Sequence, residues 1–68
     1  MIEWMNVSSS AIRKIGYDSS SNTMYIDFED SAPFYPFCNV PRHVFEEFVK
    51  ARSIGSYYHR YIKDRYSC

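Results

Sequence analysis

Sixty-eight residues suffice for one small core and exclude a second domain, because a chain this short leaves much of its surface exposed. Apolar residues make up 46% and aromatics 19%, enough burial to oppose chain entropy and to exclude wholesale disorder. Eight basic and eight acidic residues cancel overall, but residues 1 to 34 carry a formal −3 and residues 35 to 68 a formal +3, so an anionic partner should meet the C-terminal half.

Met1 to Asn6 is apolar apart from Glu3 and Asn6 and runs into the serines Ser8 to Ser10, so residues 1–6 are expected to form a flexible or docking lead-in. Ile12 to Asp18 reads as a strand, ended by the turn formers Ser19 to Asn22. In Thr23 to Glu29, Met24, Ile26 and Phe28 alternate with Tyr25 and Asp27, the period of two that lays one row of side chains on a core. The segment Glu29 to Pro33 should turn the chain into a third strand, Phe34 to Cys38, where Pro36 confines it to an edge or a bulge. Pro41 is suited to the first position of a helix, and Val44, Phe45, Phe48 and Ala51 follow at helical spacing. Ser53 to Ser56 interrupts this helix, and Tyr57, Tyr58, Tyr61 and Ile62 form a second apolar stripe, leaving His59, Arg60, Lys63 and Asp64 to water. The expected fold is α+β: a three-stranded antiparallel β-meander followed by two α-helices packed on one face.

Cys38 and Cys68 have no CxxC spacing, and His43 and His59 complete no zinc pattern, so no structural metal is expected. No secretory signal is recognisable and no stretch is long and apolar enough to span a bilayer. The expectation is a cytoplasmic protein with reduced thiols, a disulfide between the two being the alternative.

Val7-Ser8-Ser9, Ile15-Gly16-Tyr17-Asp18, the Met24/Ile26/Phe28 alternation, Tyr35-x-Phe37, Val40-Pro41, Val44-Phe45, Ala51-x-Ser53-x-Gly55, Tyr57-Tyr58, Ile62-Lys63 and Tyr66 stand in an order that resembles the KTSC domain. That domain takes its name from the C-terminus of some lysyl-tRNA synthetases. The resemblance covers residues 7–66 and implies a small domain, alone in bacterial and phage proteins or fused to a synthetase, for which RNA binding has been suggested. The chain departs from the family's central Tyr-x-Tyr, where Phe37 replaces the second tyrosine after Pro36, and carries His59 where asparagine is usual. A role for a phenolic hydroxyl at position 37 is thereby lost; stacking, which needs only the ring, is not.

Single-stranded nucleic acid is held by rings that stack on bases and cations that meet phosphates. Phe34 to Phe37 and the basic segment Lys50 to Arg65 offer both, making Tyr35, Phe37, Arg52, Arg60, Lys63 and Arg65 the candidate contacts. The competing explanation is that strand aromatics pack inward and mixed charges merely solvate a helix. Which face of the third strand looks outward decides between them, and the sequence leaves that open.

His43, His59, Asp18, Asp64 and Cys38 supply no local trio of nucleophile, base and orienting group, so no catalysis is expected. Gly55 and Ser56 are the candidates for backbone anion binding, against the simpler roles of a tight interhelical turn at Gly55 and of close packing or a bulge at Gly16. Trp4 and Met5 mark a protein-interaction or self-association surface unless the domain buries them itself. The leading expectation is a cofactor-free module that binds RNA or single-stranded nucleic acid. The alternative is an accessory domain that meets a host protein complex through its N-terminal segment.

Overall fold

Period-two alternation builds the sheet. In the computed structural model, which describes residues 1–30 and 34–68, strands β2 (Ile12–Asp18) and β3 (Thr23–Phe28) form an antiparallel hairpin. Its turn is held by Asp18, whose carboxylate accepts from the Ser20 hydroxyl at 2.6 Å and the Ser20 amide at 3.1 Å. Asn22 enters the second strand at φ 54°, a left-handed conformation that asparagine tolerates. The pairing slips between Ile12 and Lys14, a bulge that sets Arg13 outside the ladder with β3. Strand β4 (Tyr35–Phe37) pairs with β3 at the edge, where Pro36 is tolerated. The expected turn into it falls partly on residues 31–33, outside the described residues.

The sheet has four strands in the order β1-β2-β3-β4, one more than the expected meander. The segment read as a lead-in pairs as β1 (Ile2–Asn6) along β2, with Trp4 opposite Gly16. Gly16 explains why it fits: a Cβ there would lie 2.8 Å from both the Ile2 side chain and the Trp4 indole. The missing side chain lets β1 lay its apolar residues flat on the sheet, which is the close-packing role expected of Gly16.

Helix α1 (Arg42–Val49) follows Pro41, which occupies the N-cap rather than the first helical position, and turns Val44, Phe45 and Phe48 inward as their spacing requires. Ser53 caps α2 (Ile54–Tyr57) by accepting from the Ser56 amide. The helix then widens into a π-helical turn over Tyr58–Ile62, closed by the Lys63 amide on the Tyr58 carbonyl at 2.8 Å. Ile15, Tyr17, Met24, Ile26 and Phe37 of the sheet share one core with Val44, Phe45, Phe48, Ile54 and Ile62, so both helices cover the same face.

Tyr17 joins the layers. Its ring stacks on Phe45 at 5.1 Å between centroids, and its buried hydroxyl donates to the Val40 carbonyl at 2.6 Å, just before α1 begins. Burial pushes its phenol above the ordinary tyrosine value. After the π turn, Asp64 at φ 65° and the Arg65 and Tyr66 amides on the Ile62 carbonyl reverse the chain, bringing Cys68 to Cys38. The two are disulfide-bonded with Cα atoms 4.8 Å apart, which overturns the expectation of free thiols.

Candidate nucleic-acid interface

The helices cover the sheet unevenly. Alternation places Tyr35 and Phe37 on the same face, but Phe37 lies opposite Met24 beneath the helices and is 9% exposed, whereas Tyr35 lies opposite Ile26 beyond them and is 52% exposed. The uncovered end of that face, walled by the returning C-terminal segment, is an open cleft of about 830 Å³. Phe28, Tyr35, Tyr58 and Tyr66 line it, with Lys63 and Arg65 on the tail side.

Its rings meet edge to face. Phe28 stands at 74° to Tyr35 and 76° to Tyr58, with centroids 5.6 and 5.3 Å away, and Tyr58 stands at 80° to Phe37. Such packing holds the rings against one another while half of Tyr35 stays open to solvent. Burial, and then the Asp64 carboxylate, raises the Tyr58 phenol above its ordinary value, so its hydroxyl stays a neutral donor at physiological pH. Lys63 and Arg65 make no ion pair among the described residues, in contrast to Arg13 and Arg42, which pair with Glu29, Glu3 and Glu46. Asp30 and Asp64 also line the cleft, so it carries acceptors for amino groups as well as cations for anions.

The structure thus divides the candidates named from sequence. Tyr35, Lys63 and Arg65 come together; Phe37 also lines the cleft but belongs to the core, 9% exposed, so Tyr35 is the more accessible of the two rings. Arg52 and Arg60 lie apart, around a smaller hollow of about 220 Å³ with Ser56 and Tyr57. There Tyr57 donates to Glu47 at 3.1 Å, and burial followed by that carboxylate pushes its phenol up to about 12. The Ser56 amide is engaged by the Ser53 hydroxyl, so of the Gly-Ser pair named for anion binding Ser56 offers no vacant amide; Gly55 sits in the first turn of α2 with open space around it. Cys38 is locked in the disulfide, and the described residues contain no cluster of three or more His, Cys, Asp or Glu suited to a metal.

Trp4 is half-buried on the helix-free face, 4.8 Å from Phe34 and 6.5 Å from Tyr25, with the Lys14 ammonium 4.7 Å above its ring; Met5 is exposed at the sheet's edge. The domain therefore takes up much of its own N-terminal apolar segment. The sequence does not single out Phe28, Tyr58 and Tyr66 as site residues. The tyrosine pair marks a helical stripe, but its contribution to a cleft depends on the π turn and the tail reversal. Among the described residues no helix is long and apolar enough to cross a membrane.

The KTSC domain family model matches residues 8–66. A lysine–tRNA ligase from Trichormus variabilis is 37% identical over 57 residues, covering 84% of this chain but only 10% of the ligase, so the chain spans about a tenth of that relative's length. The crystal structure of a KTSC domain protein from Yersinia pestis superposes with a TM-score of 0.88 at 30% identity, covering 97% of this chain and 92% of that one. The match to nearly the whole chain and the shared fold agree with the ordered residues that first suggested the family: this chain belongs to the KTSC domain family.

Proposed function

We propose that this chain is a binding module for RNA or another single-stranded nucleic acid, and that the cleft between β4 and the C-terminal segment is its site. The observation that carries this reading is the convergence of an exposed ring, Tyr35, with Lys63 and Arg65, cations without an ion pair among the described residues, in one open cleft. A base stacks on Tyr35, the two cations meet flanking phosphates, and Asp30 or Asp64 accepts from an exocyclic amino group. Kinship with a short region of a tRNA ligase supports an RNA partner.

Fluorescence anisotropy with short labelled single-stranded RNA tests it. Saturable binding is expected, weakened by Tyr35→Ala by the roughly 1–3 kcal/mol typical of a lost base stack. Lys63→Glu should weaken it further and flatten the dependence of log affinity on log salt by about 0.7, the contribution of one phosphate on a single strand. No saturable binding at low salt, or binding indifferent to both substitutions, would remove the cleft from consideration.

A further inference from the structure

The sheet has two edges, and only one is guarded. Strand β4 is three residues long and carries Pro36, both devices that discourage pairing with another strand. Strand β1 is five residues long and contains neither proline nor lysine. Its one charged side chain, Glu3, is held by Arg42 through two contacts at 2.8 and 2.9 Å, so its charge is matched within the same molecule.

The direction of the β1 backbone follows from the ladder. The Val7 amide donates to the Arg13 carbonyl, in step with the Ile2–Asp18 to Asn6–Lys14 register. Bonded and non-bonded pairs alternate in an antiparallel ladder, so Glu3, Met5 and Val7 turn their amides and carbonyls toward β2, and Ile2, Trp4 and Asn6 turn theirs outward. The other side of β2 agrees: the Glu29 amide donates to the Ala11 carbonyl, and counting through the bulge returns the same alternation.

A second copy of the chain meets this edge without conflict. With a twofold axis through Trp4, residue 4 pairs with residue 4 and residue 2 with residue 6, which engages every outward group of β1 in roughly six intermolecular hydrogen bonds. Glu3 then falls opposite Met5 of the other copy rather than opposite its own equivalent, so no like charges meet. The two Trp4 side chains become direct cross-strand neighbours on the helix-free face, extending the cluster with Tyr25 and Phe34 across the axis. We infer that the exposed edge of β1 is a self-association surface through which two copies join their sheets antiparallel, centred on Trp4. This interface lies at the edge opposite β4 and leaves the cleft of each copy open.

Sedimentation velocity over a wide concentration range reads the association directly: the 8.1 kDa chain should convert to a species of twice that mass as concentration rises. Asn6→Pro removes an outward amide without touching the β1–β2 ladder, and is expected to weaken dimerisation by about tenfold or more. Hydrogen exchange on the unmodified chain supplies a second reading that needs no variant: the Ile2, Trp4 and Asn6 amides should gain protection with concentration, while Glu3 and Met5 stay constant. A chain that remains 8.1 kDa throughout overturns the inference, as does a dimer in which those three amides stay unprotected.

Discussion

Cys68 is disulfide-bonded to Cys38, at the end of β4, across thirty residues of sequence, and the bond fastens the segment bearing Lys63, Arg65 and Tyr66 beside the strand that presents Tyr35. One wall of the cleft is therefore held by a covalent tie at its far end and by the Ile62 turn at its near end. Breaking the tie with a reductant, or with Cys68→Ser, should lower unfolding stability by roughly 3–4 kcal/mol on the loop-closure account. It should also weaken RNA binding, because the tail must then be ordered at the moment of binding. Urea denaturation and anisotropy, each run with and without reductant, check the two effects separately.

Tyr17→Phe keeps the stacked ring on Phe45 but leaves the Val40 carbonyl without its 2.6 Å donor. The expected cost is about 1–3 kcal/mol, the penalty of an unsatisfied buried acceptor, measured as a lower urea midpoint at unchanged slope.

Acid should loosen the N-terminal strand. The hydrogen bonds from Arg42 hold the Glu3 carboxyl below its ordinary value of 4.5. A carboxyl that protonates less readily when folded adds stability above its unfolded pKa, and that stability is lost as pH falls through the lower folded value. Trp4 emission should therefore shift as pH drops below about 4.5, while Glu3→Gln, already without the ion pair, shows no such step. An identical acid response in the two proteins would assign it to another group.

Much of this architecture is legible in the sequence. Met24, Ile26 and Phe28 alternate because a strand sends successive side chains to opposite faces, and Val44, Phe45 and Phe48 recur at the spacing of one helix face. Strand β1 escaped because what accommodates Trp4 is an absent side chain, Gly16, on another strand, and because an edge strand with solvent on several sides has no clean alternation. The π turn adds a residue to one helical turn and leaves no mark in the string Tyr-Tyr-His-Arg-Tyr-Ile. For the site, alternation correctly places Tyr35 and Phe37 on one face, but only the packing shows that the helices cover that face at Phe37 and stop short of Tyr35. Lys63 and Arg65 were visible as charges; their distance in space from Arg52 and Arg60 was not. Spacing alone does not select the disulfide over free thiols, since the bond depends on the chain reversal at Asp64.

The most direct test of the cleft is an NMR titration of the isotope-labelled chain with short single-stranded RNA, followed residue by residue. Saturable shifts gathered at Phe28, Tyr35, Tyr58 and the segment from Lys63 to Ser67 are the expected result. Shifts confined to Trp4, Tyr25 and Phe34 on the helix-free face, or a spectrum that RNA leaves unchanged, would contradict it.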